Sequence, residues 1–213
     1  MRLYVCGNFR YVQEMKTGRI IYPVYTLGPG KRVGIWLSGC KRKCEGCGNP
    51  ELWDSGYGKD LSVAEIMGIV REFALCDIID GFTISGGEPF LQKEELALLL
   101  SMLSEISEDI LVYTGYKAEE ITADLSHVAV LIDGEYIHSL CDGHILKGSS
   151  NQRIHYLKEE YRKPYEQYIR ENSDKNFVQT VPFGKGMLFL GIQGDRLRKK
   201  LKEKLNSKGI KER

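Results

Sequence analysis

The sequence predicts an α/β fold built on a parallel sheet, and three observations carry that expectation. Short apolar runs recur through the middle of the chain without polar alternation, as strands covered on both faces do. Between them apolar residues recur at helical spacing, so that strand, helix and strand follow one another. The composition, 42% hydrophobic and 28% charged over 213 residues, suits one soluble domain with a real core.

Residues 32–38, 82–85, 110–114 and 128–132 read as strands. After the first of these, Val63, Ile66, Met67, Val70, Phe73 and Ala74 mark one face of a helix. Ser62 and Glu65 form a capping box at its start. A second helix is expected over 93–105 and a shorter one over 118–125. The sheet these units build is either open or curled into a barrel. The first 25 or so residues suggest a small β element, from residues 3–5 and 20–25. Beyond Arg153 a helix is expected over 156–171 despite Pro164, then a hairpin of 177–181 with 187–192, and a closing basic helix over 195–205. The chain accordingly divides into an N-terminal β appendage (1–21), a core (22–157) and a C-terminal appendage (158–213).

Charge and composition exclude several classes. Lys and Arg number 30 against 29 Asp and Glu. The balance hides a basic tail, in which residues 195–213 hold nine Lys/Arg and three Asp/Glu. Such a tail is either a solvated helix end on an acidic body or a surface for nucleic acid or an acidic partner. The longest apolar run, residues 96–100, falls far short of a membrane span. The first residues lack the apolar stretch and cleavage site of a signal peptide, so a cytoplasmic location is expected. The composition is not that of a disordered chain.

Six cysteines stand at 6, 40, 44, 47, 76 and 141. Three of them, Cys40, Cys44 and Cys47, fall within eight residues, directly after the first strand of the alternating region. Thiolates at spacings of four and three let one loop present three corners to an iron–sulfur cluster. Lys41, Arg42 and Lys43 favour thiolates and offset a cluster's negative charge. A catalytic zinc site also leaves one coordination position open, so the spacing alone leaves both metals standing. A closed structural zinc site would need a fourth ligand, and no second cysteine pair is present. Cys6, Cys76 and Cys141 read as small buried hydrophobes. The four histidines, 127, 138, 144 and 155, lack metal-type spacing.

The CxxxCxxC loop of Cys40, Cys44 and Cys47 resembles that of the radical S-adenosylmethionine (SAM) enzymes. Within that superfamily the chain looks most like the activating proteins of anaerobic ribonucleoside-triphosphate reductase, from about Tyr22 to Leu157. Many superfamily members carry an aromatic residue just before the third cysteine; here, as in those activases, it is Gly46. Further motifs match: Ser85-Gly86-Gly87-Glu88-Pro89 after the second strand, Tyr113-Thr114-Gly115-Tyr116 after the third, and Asp133-Gly134 after the fourth. The string Gly148-Ser149-Ser150-Asn151-Gln152 also recurs in the resembled activases, and Gly28-Pro29-Gly30 matches a family turn with Leu27 in place of Asn.

The resemblance implies a partial (β/α) barrel of the radical SAM type. It implies a [4Fe-4S] cluster held by Cys40, Cys44 and Cys47, with SAM bound at Ser85, Gly86, Gly87, Glu88, Thr114 and Asn151. A flavodoxin or ferredoxin-type donor would supply one electron. SAM would be cleaved reductively to methionine and a 5′-deoxyadenosyl radical, which takes a Cα hydrogen from a glycine of the partner, a glycyl-radical enzyme. Glycine-rich turns at the C-terminal ends of parallel strands are where α/β proteins bind ligands, which agrees with this placement. Two other readings come from the residues themselves. One is a small iron–sulfur electron-transfer protein, which normally has four protein ligands. The other is a zinc-stabilised nucleic-acid-binding module, suggested by Lys41–Lys43 and the basic tail.

Overall fold

The structure, a computed structural model, describes residues 14–173, 178–184, 186–192 and 195–207. Cys6 and the strand expected over residues 3–5 lie outside the described residues.

A seven-stranded mixed sheet organises the molecule. Its strands are β1 (Glu14–Val24), β2 (Arg32–Leu37), β3 (Lys59–Ser62), β4 (Gly81–Gly86), β5 (Ile110–Tyr113), β6 (Val130–Asp133) and β7 (Arg153–Tyr156), in the order β3-β1-β2-β4-β5-β6-β7. Strands β2, β4, β5 and β6, the four read from apolar runs, are parallel neighbours; β1, β3 and β7 join antiparallel at the flanks. The sheet is open, with β3 and β7 at opposite edges. The N-terminal β element proves to be a strand of this sheet, and β1 runs across the expected boundary at residue 21.

The two faces are covered differently. Helices α1 (Val63–Cys76) and α2 (Lys93–Ser104) pack on the side of Val33, Ile35, Leu37, Ile84 and Val112. The capping box of α1 is formed: Glu65 N–H donates to Ser62 Oγ at 3.2 Å, and Ser62 N–H to Glu65 Oε2 at 2.8 Å. The other face is covered by the C-terminal part of the chain. Helix α3 (Arg162–Asn172) places Tyr165 and Tyr168 against Leu111, Val130 and Ile132. The hairpin of β8 (Gln179–Phe183) and β9 (Gly186–Leu190) packs Val181, Leu188 and Leu190 around Val24 and Trp36. A basic helix, α4 (Asp195–Ser207), follows as the sequence predicts.

Three expectations are corrected. Residues 118–125 form only a 3-10 turn, Ala118–Glu120. Asp124 closes a turn of its own by accepting from Ser126 N–H and Oγ, while Ile121 and Leu125 pack against the helix-side core from irregular backbone. Residues 156–161 are not α-helical: Tyr156 pairs with Val130 in β7, both Leu157 and Lys158 donate to Ala129 O, and Glu159–Tyr161 form a 3-10 turn. Helix α3 therefore starts at Arg162, which puts Pro164 in the first turn, where no intrahelical N–H bond is lost. Cys76 is exposed, because the last turn of α1 carries Leu75 and Cys76 into solvent, and Cys141, after the 3-10 turn His138–Leu140, is half-buried.

A buried ion pair ties the C-terminal layer to the sheet at the end where the parallel strands begin. Arg32 is fully buried and grips Asp109 through both terminal nitrogens, at 2.7 and 3.2 Å; its Nε donates to Thr83 Oγ1 at 2.7 Å. Tyr165 donates its hydroxyl to Asp109 Oδ1 at 2.7 Å and offers its ring to the guanidinium at 5.7 Å. Burial works against the charge on Arg32, yet Tyr165 and Asp109 outweigh it and hold the guanidinium protonated well beyond its usual range. Replacing Asp109 by Ala leaves that charge buried and uncompensated, so Asp109→Ala is expected to destabilise the protein by about 3–5 kcal/mol. Tyr165→Phe, which removes one hydrogen bond to a carboxylate, is expected to cost about 1.5–3 kcal/mol. Urea unfolding of the two variants checks the difference.

Candidate metal centre

The C-terminal ends of the four parallel strands are level, with Leu37 opposite Gly86 and Tyr113 opposite Ile132, so the turns that follow them meet along one rim. The cysteine loop leaves β2. It returns over residues 49–53 and is tied back on itself: Gly39 N–H donates to Leu52 O and Cys40 N–H to Trp53 O. Cys40, Cys44 and Cys47 are all half-exposed on this loop. Burial pushes the Cys44 thiol up, with Glu135, Cys47 and Cys40 adding to it, while the Tyr136 backbone opposes the rise through a hydrogen bond. Asn49 N–H donates to Cys47 Sγ at 3.4 Å. Three thiols on one loop, two of them met by backbone donors, are a donor set suited to negatively charged sulfur.

The turn after β4 crosses under this loop. Gly87 N–H donates to Leu37 O and Glu88 N–H to Gly39 O, at 2.7 and 2.8 Å. Gly86 takes φ +116°, and a Cβ on Gly87 would stand 2.3 Å from Gly39 O, so neither position admits a side chain. Glu88 is buried beyond the crossing. Its Oε1 accepts from Thr114 Oγ1 (2.8 Å) and Phe90 N–H (3.1 Å), and its Oε2 from Gly115 N–H (2.8 Å). Burial raises its pKa; these donors and Arg42 counter the rise. The structure thus brings Gly86, Gly87, Glu88 and Thr114 together beside the cysteine loop, with Ser85 one residue back in β4, level with Trp36 of β2.

Asn151 is placed elsewhere on the rim. It is exposed in the connection between β6 and β7 and donates its amide to Glu135 O at 2.8 Å. Its neighbour Gln152 binds Gly134 O and Gly148 N–H, so the Gly148–Arg153 string braces its own loop. Asp133 is buried and held by Ala118 N–H, Arg153 and His155. Burial alone would raise its pKa, and these three partners hold it below the usual carboxylate range. Tyr113 is half-buried and packs against the core cluster that includes Tyr168.

Three contacts at the rim escaped the sequence. His138 lies against the cysteine loop: its Nδ1 stands 2.6 Å from the place a Cβ would take at Gly46. The glycine before the third cysteine is the only trace of that neighbour in the sequence. Arg42 lays its guanidinium over the Tyr116 ring at 4.7 Å, a contact that nothing in its basic run foretold. Arg19, from β1, bonds Asn49 and Glu51 of the returning limb.

The 4Fe-4S single cluster domain family matches residues 26–155, which include every rim residue from the turn before β2 to β7, and the chain belongs to that family. The relatives it resembles are activating proteins. It is 35% identical to the anaerobic ribonucleoside-triphosphate reductase-activating protein of Enterobacteria phage T4 over 141 residues, 63% of this chain and 90% of that one. The proteins of the same name from Escherichia coli K12 and Haemophilus influenzae are 34% and 32% identical, each over 64% of this chain and 96% of their own. Residues 156–213, with α3, the hairpin and α4, lie beyond the family match.

The crossing yields a test. Gly87→Ala drives a methyl group into the Gly39 carbonyl and is expected to destabilise the protein by about 2 kcal/mol. Glu88→Gln, which keeps the shape and loses the charged acceptor, is expected to cost about 1.5–3 kcal/mol. Both are read as a lower urea midpoint at unchanged slope.

Proposed function

We propose that this chain is a radical SAM activase. Cys40, Cys44 and Cys47 hold its [4Fe-4S] cluster, and its substrate is a glycine of a partner enzyme, anaerobic ribonucleoside-triphosphate reductase. The observation that carries this reading is the level rim, where the three-cysteine loop, the Gly86–Gly87 crossing and Glu88 meet. When bound, the cluster and SAM supply the one-electron cleavage of a sulfonium and the abstraction of a hydrogen atom from the partner's glycine.

The chain's own residues bind and orient. Gly86 and Gly87 let the β4 turn pack against the backbone of Leu37 and Gly39, which sets Glu88 beside the cysteine loop for a methionyl group to reach. A carboxylate offers about four acceptor positions. Three on Glu88 are filled by Phe90, Thr114 and Gly115, and the fourth, on Oε2, is left for an ammonium group. Ser85 and Thr114 flank that position, and Asn151 contributes from the β6–β7 connection. Lys41 and Arg42 place positive charge beside the thiols.

In this reading the parallel run β2-β4-β5-β6 serves as the partial (β/α) barrel, β1 belongs to the same sheet, and residues 158–213 are a C-terminal appendage. Because α3 and the β8–β9 hairpin cover the face opposite α1 and α2, the partner's glycine loop approaches over the strand ends. The electron comes from a flavodoxin or ferredoxin-type donor in the cytoplasm. Among the described residues no helix is long and apolar enough to cross a membrane.

The test is anaerobic reconstitution with iron and sulfide, followed by dithionite and SAM in the presence of the reductase. Wild type is expected to release 5′-deoxyadenosine and methionine and to raise a glycyl-radical EPR signal on the partner, while Cys44→Ala falls to background. A wild-type protein with an intact cluster that leaves SAM uncut beside the reductase overturns the reading.

A further inference from the structure

Outside the residues matched by the family, Arg19 makes an unusual set of contacts. It projects from β1 with its side chain 2% exposed, and its guanidinium lies 5.4 Å from the centre of the Trp36 ring. One terminal nitrogen, Nη2, bonds both Asn49 Oδ1 and, at 2.9 Å, Glu51 Oε1. Its Nε is buried with no hydrogen-bond partner. A buried donor left unmet is unfavourable, so the guanidinium is held where Asn49 and Glu51 need it rather than where all its own donors are satisfied.

What it holds is the returning limb of the cysteine loop. Asn49 follows Cys47 by two residues, and its backbone N–H is the one that reaches Cys47 Sγ. The Asn49 carbonyl accepts from Leu52 N–H at 3.1 Å, and Leu52 O in turn receives Gly39 N–H. A single side chain from β1 therefore braces the turn that connects the third cysteine with the start of the loop. A backbone N–H aimed at a cluster thiolate withdraws charge from sulfur and favours the reduced, more negative cluster.

We propose that Arg19 is a positioning residue for the metal centre. Through the Asn49 side chain it fixes the peptide N–H that bonds Cys47 Sγ, and so raises the reduction potential of the cluster. The role rests on the assignment of Cys47 as a cluster ligand. Glu51 neutralises the guanidinium, so the effect comes from the oriented N–H and not from the charge of Arg19. Lys in its place keeps one of the two partners and acts in between.

The experiment compares wild type with Arg19→Ala, Arg19→Lys, Asn49→Ala and the double variant Arg19→Ala/Asn49→Ala. In the metal-free protein, hydrogen–deuterium exchange at the amides of residues 48–52 is expected to quicken about tenfold in both alanine variants, the loss of one charge-assisted hydrogen bond. In the loaded protein, redox titration followed by EPR is expected to show a more negative potential in each. Arg19→Lys should fall between, and the double variant should move no further than the singles. Loss of iron from a variant that exchanges normally outside residues 48–52 supports the same role. Unchanged exchange over 48–52 overturns the proposal, as does a wild-type potential in loaded Asn49→Ala or a doubled shift in the double variant. Should Arg19→Ala fail to fold, Asn49→Ala and Arg19→Lys decide. A wild type that takes up no iron and sulfide refutes the cluster assignment instead, and the exchange arm still tests the brace.

Discussion

Where the chain leaves β4, the carbonyl of Gly39 stands 2.3 Å from the place a Cβ would take on Gly87, and the β4 turn donates Gly87 N–H to Leu37 O and Glu88 N–H to Gly39 O there. The rest of the rim depends on this approach. It holds the cysteine loop down on the strand ends and turns Glu88 under the loop. From there the carboxylate collects Thr114 and Gly115 from the next strand. Three consecutive parallel strands are thus locked at their ends without any side chain intervening at the crossing itself. A side chain there would separate the loops and leave their bonded N–H groups without acceptors.

Much of this was legible in the sequence because it is encoded locally. The capping box of Ser62 and Glu65, the apolar runs of β2, β4, β5 and β6 and the spacing of Cys40, Cys44 and Cys47 each carry their signal within a few residues. The failures have a common cause in partners far along the chain. Residues 118–125 have helical spacing, yet Ala118 N–H answers to Asp133 and the segment packs as a loop. Tyr156 reads as the start of a helix until Val130 draws it into β7. Gly46 reads only as the absence of an aromatic residue before the third cysteine, and nothing near it named His138 as its neighbour. Cys76 reads as core because an isolated cysteine is ordinarily buried, but the buried face of α1 ends at Val70 and Cys76 is exposed in its last turn.

The two faces of the sheet divide the work. Helices α1 and α2 complete the side that a βα repeat covers with its own connections. The opposite side is covered by residues beyond the family match, through Tyr165, Tyr168 and the β8–β9 hairpin. Tyr168 donates to Tyr25 O and Gln179 to Pro23 O, so this layer is also stitched to the strand that enters the sheet from the N-terminal side. The chain's beginning and its later part thereby meet on one surface, and the rim is left as the open end of the sheet.

The Arg32 ion pair also imposes a schedule on assembly. Asp109 lies 77 residues beyond Arg32, and Tyr165 a further 56 beyond Asp109. A guanidinium has no favourable place under a sheet until its carboxylate arrives, so β2 cannot lose its water before β5 has docked. Contacts of that sequence separation close slowly, because loop entropy must be overcome first. During synthesis the nascent β2–β4 pair stays hydrated at that end while the partner strand is made. The layer is sealed only when α3 delivers its tyrosine.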